Sequence, residues 1–206
     1  EGGMLITDNE NIANKVSQLK DHGANKSDLR RHKQKGSFFL PDFKLKGFNY
    51  RMTDIQGALG VCQMNKKDYI MNGRRKIAKK YNVSLSNLSQ LIIPYVPKGY
   101  KHGYQNYTCI FTDGENISNL NKEQIDRIST KRNVFMEKLE QMTIATRQGT
   151  HAIHTLGYYK DKNNFKDEDF LMSYAADKLS VALPLYADMN DDEFDYVVSN
   201  IKVALK

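Results

Sequence analysis

Cysteine is scarce: only Cys62 and Cys109 occur in 206 residues. They lie too far apart to suggest a disulfide framework or a metal-ligand spacing. Both read as core thiols of a protein in a reducing, cytoplasmic setting. No run reaches the ~20 apolar residues of a membrane-crossing helix. The chain opens on Glu1-Gly2-Gly3, with neither Met nor a charged-then-apolar leader among its first residues, so a piece of a longer protein is expected. Gly-x-Ser-x-Gly, Walker and Gly-x-Gly-x-x-Gly motifs are missing, which removes the common hydrolase, P-loop and dinucleotide signatures. Internal repeats and low-complexity stretches are missing too.

What is present suits one or two soluble domains: 40% hydrophobic and 27% charged residues allow a substantial core. The net charge is +7. A basic chain can serve nucleic acid, a membrane surface or phosphorylated substrates. Here the lysines are spread along the whole length without a stripe of interleaved aromatics, so no nucleic-acid partner is expected. The densest cluster, Arg30-Arg31-His32-Lys33-Gln34-Lys35, falls in a loop. It reads either as solvated surface or as an anion contact.

Met4-Leu5-Ile6-Thr7 reads as a short buried strand. Thr7-x-x-Glu10 then looks like a capping box, with Ile12, Val16 and Leu19 on one helix face and His22-Gly23 at its end. Residues 24–47 form a long loop in which Phe38 and Phe39 are expected to pack against something, such as another subunit. Thr53-x-x-Gln56 caps one long helix to about Asn82, or two helices bent near Gly73. Pro94, Pro97, Gly99 and Gly103 mark an irregular entry into a second domain. Beyond it, Tyr107–Phe111 reads as a strand and 121–142 as an amphipathic helix bearing Ile125, Ile128, Arg132, Phe135 and Leu139. Ile144–Thr146 is a further candidate strand, Phe170–Lys178 a helix and Val181–Leu183 a strand. Asn190-x-x-Glu193 caps a last helix with Phe194, Val197, Val198, Ile201 and Leu205 inward. Strands alternating with helices give an α/β domain.

Two segments carry candidate chemistry. Gly47-Phe48-Asn49-Tyr50-Arg51-Met52-Thr53-Asp54 sets an amide, a phenol and a guanidinium before a helix N-terminus. Backbone N–H groups and the helix dipole favour a phosphate there. The alternative is that Asn49 and Arg51 only fix the loop. Arg147-Gln148-Gly149-Thr150-His151-Ala152-Ile153-His154 follows a strand and gathers a cation, a hydroxyl and two imidazoles. It suits a ligand-contacting loop better than a metal site, because no carboxylate or thiol lies close in sequence.

Taken in order, these segments resemble the DegT/StrS-type nucleotide-sugar aminotransferases. Glu1–Asp8, Leu19–Gly23, Gly47–Gln56 and Ala58–Gly60 carry the likeness, followed by Arg74–Ala78, Phe135–Glu137, Thr146–His154 and Leu179–Tyr186. The resemblance implies an α/β fold of the aspartate-aminotransferase kind, fold type I among pyridoxal-phosphate enzymes. Residues 1–77 would be the end of the large cofactor-binding domain with its connecting helix, and 78–206 the small C-terminal domain. It implies pyridoxal phosphate as cofactor, a Schiff-base lysine just before the segment matched by Glu1, and no catalytic residue within the chain. The chain alone should then lack activity, while the whole enzyme would move an amino group from glutamate to a nucleotide-linked keto sugar. A related dehydratase, with histidine for that lysine, is the alternative. Asn49 would cross a homodimer with shared active sites to reach the partner's cofactor phosphate. Arg31 would approach the sugar-nucleotide diphosphate. Tyr50, Arg51, Arg147, His151 and His154 would line the substrate side. Some positions depart from the pattern: Thr143 replaces a usual helix-ending glycine, and Met172 and Ala187 stand where proline is frequent. Gly57 and Gly73 should each weaken a helix by about 1 kcal/mol.

Overall fold

The computed structural model describes residues 2–25 and 41–206. Its contacts fall into two compact units, Glu1–Lys66 and Lys67–Lys206. Arg31, the basic cluster around it and Phe38-Phe39 lie outside the described residues.

In the first unit, Met4–Thr7 is not a buried strand: no ladder forms there, and Met4 and Ile6 are exposed. A strand needs a neighbour for its N–H and C=O groups, and no described residue of this chain pairs with it. Helix α1 covers Glu10–Leu19. Its cap is Asn9 rather than Thr7. Asn9 Oδ1 accepts from the amides of Asn11 and Ile12, while Thr7 Oγ1 accepts from the Asn9 amide. The helix ends as its sequence suggests: His22 and Gly23 are both left-handed, and the Gly23 amide donates to the Gln18 carbonyl at 2.8 Å. Helix α2, Asp54–Asn65, starts on the expected Thr53/Gln56 capping box, worth about 1 kcal/mol. The helical run breaks at Lys66, not near Gly73.

The second unit opens with α3, Lys67–Leu85, straight through Gly73. That glycine is required by contact: a Cβ there would stand 2.7 Å from the Ala187 carbonyl oxygen. Strands β1 (Leu91–Ile92), β2 (Tyr107–Phe111) and β3 (Ser180–Leu183) form one antiparallel sheet in the order β1-β2-β3. Leu91 pairs with Phe111, and Tyr107 with Leu183. The candidate strand at Ile144–Thr146 reduces to a single bridge, Arg147 to Ala182, at the free edge of β3. Helix α4, Lys122–Gln141, packs on β2, and helices α5 (Gly157–Asn163), α6 (Leu171–Leu179) and α7 (Asp191–Ala204) follow it in the chain. Helix α5 has no apolar period, so the sequence did not announce it.

The core lies among α3, α4, α6, α7 and the sheet, where Tyr81, Leu85, Tyr107, Ile128, Leu139 and Ile201 are wholly buried. Tyr81 keeps its hydroxyl bonded to the Pro184 carbonyl at 2.9 Å, and Tyr107 donates to Asn82 at 2.6 Å. Burial satisfied in this way avoids the ~1–3 kcal/mol cost of an unpaired polar group. Cys109 is a core residue, and burial pushes its thiol up to about 12. Cys62, read as a core thiol, is instead exposed on α2. Leu205 is only partly buried, beyond the inward face of Phe194, Val197, Val198 and Ile201 on α7. No described helix is long and apolar enough to cross a membrane.

Candidate functional site

Asn49 and Arg51 owe their place to a backbone splice. The segment 47–50 runs beside the last turn of α1: Phe48 N donates to Leu19 O at 2.7 Å, Tyr50 N to Lys20 O at 2.8 Å, and His22 N to Phe48 O at 2.9 Å. Asp21 and Asn49 form the bridge between the two. This closeness demands two glycines. A Cβ on Gly23 would run into the Leu45 carbonyl, and one on Gly47 into the Gly23 amide. Alternation along an extended segment does the rest. Phe48 and Tyr50 stack with ring centroids 5.0 Å apart, and Asn49 and Arg51 share the other side. Arg51 Nε donates to Asn49 Oδ1 at 3.4 Å, and its guanidinium lies 3.6 Å from Asp21 Oδ1.

That geometry leaves the Asn49 amide nitrogen as the donating end of the side chain. It stands four residues before Thr53, the cap of α2. Residues 48–56 are exposed, so the amide, the guanidinium and the helix N-terminus are each open to a ligand. The donors suit a phosphate in type: neutral N–H groups, a helix dipole and a cation already half-balanced by Asp21. Asp21 is an organiser that sequence reasoning missed. Its only signal was the Leu19–Gly23 helix end.

In the second unit, the expected ligand loop divides by burial. Arg147 is tied to β3 by backbone bonds (Ala182 N to Arg147 O, 2.7 Å), with its side chain exposed. His151 is exposed too. His154 is buried, its ring against Phe170 and its Nε2 3.1 Å from the Asp167 carbonyl. Its imidazole therefore faces the interior, unlike that of His151. A groove of about 570 Å³ lies between α4 and residues 145–148, lined by Arg132, Glu137, Glu140 and Arg147 among others. Arg132 is 5% exposed and donates to the Ser180 carbonyl at 3.2 Å, while its Nε has no partner among the described residues. Burial lowers its pKa, and Asp177 opposes that shift. Arg132 stood in the apolar register of its helix and Asp177 three residues after buried Tyr174. A charge on an inward face was the signal for both.

Solved structures share this fold over nearly the whole chain. Helicobacter pylori PseC, an aminotransferase of pseudoaminic acid biosynthesis, matches with a TM-score of 0.76 at 18% identity, over 97% of this chain and 47% of its own. Streptococcus pneumoniae Spr1654, solved in PLP, PMP and apo forms, gives up to 0.76 at 22% in its PMP form, over 97% and 46%. The class is thus the fold type I architecture of pyridoxal-phosphate enzymes, present here as a partial α/β piece. The chain belongs to the DegT/DnrJ/EryC1/StrS aminotransferase family, whose model matches residues 1–202. Methanocaldococcus jannaschii MJ1066 is 32% identical over 98% of this chain and 49% of its own length. The Bacillus subtilis spore coat polysaccharide biosynthesis protein SpsC is 29% identical over 100% and 50%. The chain spans about half the length of the curated relatives it matches.

Proposed function

We propose that the full-length protein is a pyridoxal-phosphate-dependent aminotransferase that moves an amino group from glutamate to a nucleotide-linked keto sugar. It would act in the cytoplasm as a homodimer with shared active sites. The family match over residues 1–202 carries this reading. Residues 1–77 then close the cofactor-binding domain with its connecting helix, and 78–206 form the small domain. Asn49, held by Arg51 and the α1 splice, donates to the cofactor phosphate of the partner protomer. The N-terminus of α2 adds its dipole to the same anion. When bound, the cofactor's pyridine ring supplies the electron sink for the transfer. Arg51, exposed Tyr50, Arg147 and His151 contact the sugar nucleotide, with Arg31 beside its diphosphate. His154 keeps the wall of residues 147–154 in shape from beneath.

The test uses the full-length protein and its visible absorption. Bound pyridoxal phosphate should give a visible band that glutamate bleaches and a keto-sugar nucleotide restores. Asn49→Ala should weaken cofactor retention by roughly 10-fold, the size of one lost charge-assisted hydrogen bond. A sugar-nucleotide product that has lost a hydroxyl without gaining an amino group, read by mass spectrometry, would point to the dehydratase instead. The absence of any cofactor band would refute both.

A further inference from the structure

Resting on the reading of residues 147–154 as a substrate-side wall, we propose that Asp177 is the positioning residue of that wall. It sets the shape of the 148–152 loop and through it the affinity for the nucleotide part of the substrate. Asp177 lies in α6 and is 6% exposed. Both carboxylate oxygens are used on one loop. Oδ1 accepts from Gln148 Nε2 at 2.8 Å, and Oδ2 from the Ala152 amide at 2.7 Å. Two attachments four residues apart on one rigid group close the loop into a ring.

Further bonds fix the turn inside that ring. Gln148 Nε2 also donates to the Thr150 carbonyl at 2.7 Å, and the Gly149 amide donates to Ser180 Oγ at 3.0 Å. Gly149 itself passes so close to Thr108 that a side chain would collide there. The loop is thus pinned at Gln148, Gly149 and Ala152, and what remains outward is Thr150 and His151.

A buried carboxylate needs compensation. Asp177 receives two hydrogen bonds and the field of Arg132, itself buried and bonded to the Ser180 carbonyl. Helices α4 and α6 and strand β3 therefore share one polar knot beneath an exposed loop. An apolar core contact would add stability but would not fix where His151 points. The hydrogen bonds fix direction, and direction is what a binding wall needs.

The experiment uses the full-length protein with ADP, CDP, GDP, UDP and dTDP as probes. The tightest of them on the native protein is carried through the variants by calorimetry. Asp177→Ala and Asp177→Leu should each raise Kd about 10-fold, because Leu fills the space but accepts no hydrogen bond. Asp177→Asn should weaken binding less, by about threefold: one oxygen still accepts from Ala152, while Gln148, whose nitrogen also holds the Thr150 carbonyl, loses its second acceptor. Deuterium uptake should quicken in peptides covering 148–153 of the Ala and Leu variants and stay unchanged in α7. If loop exchange quickens while Kd holds, Asp177 anchors the loop without serving the ligand, and the proposal falls. Equal weakening in all three variants overturns it as well. Failure of the native protein to bind any of the five would sink the substrate-wall reading itself, and this inference with it.

Discussion

Thr143 shows how much a single position can reveal. It follows α4 with φ 58°, a left-handed conformation that a β-branched residue rarely takes. The family resemblance has a glycine at this place, and the Thr143 backbone has the left-handed conformation that glycine suits. Its hydroxyl bonds the Met142 carbonyl at 2.7 Å, which repairs part of the cost. Thr143→Gly should stabilise the second unit by about 1 kcal/mol and raise Tm by about 2–4 °C, read by calorimetry. Gly73 is the converse. Helix propensity alone marked it as a weak point. The Ala187 backbone against it gives the reason for its smallness, which no local pattern could supply. The same holds for Asp21 and Asp177. Their types were visible, but their partners are 28 and 29 residues away, Asn49 and Gln148.

Elements were legible where they announce themselves locally. The boxes at Thr53/Gln56 and Asn190/Glu193 formed as read. Strand β2 and helices α4, α6 and α7 lie where periodicity put them. Met4–Thr7 failed because a strand is a property of two segments, and no described residue pairs with this one. Ion pairs between elements were equally hidden. Lys122, at 2.7 Å from Asp126, also reaches toward Asp167 at 3.9 Å, and Lys160 holds Asp167 at 2.8 Å. The Tyr174 hydroxyl donates to Asp126 at 2.5 Å. Burial alone would raise the Asp126 carboxyl, but the bonds from Lys122 and Tyr174 outweigh it and the pKa is lowered. Asp167 is lowered chiefly by its bond from Lys160. A carboxyl depressed in the folded state adds stability above its unfolded pKa of about 4, and that stability disappears as pH falls through the lower folded value. Tm should therefore drop between about pH 5 and 2, and Asp126→Asn with Asp167→Asn should flatten that acid limb while lowering Tm at pH 7.

At the scale of the molecule, the two units differ in how they are held. The second has the sheet and the continuous core. The first offers little of its own: α2 has no buried residue, and Ile55, Leu59 and Met64 are exposed by more than 60%. Apolar surface of that extent on one helix calls for a cover, and the chain spans only half the length of its relatives. The isolated 206-residue chain should bind a hydrophobic dye such as ANS strongly or self-associate in sedimentation. The full-length protein should bind the dye weakly at the same concentration and sediment as a discrete dimer without larger species. Equal dye binding by both would show that α2 stays uncovered.

The crossing of Gly23 and Gly47 has an implication for descent. Each position is closed to a side chain by backbone on the other strand of the splice, so neither can mutate first and await a compensating change. Lineages that keep Asn49 on this scaffold should hold both sites frozen together. A lineage that has lost one should have lost the other and re-routed the segment carrying the amide.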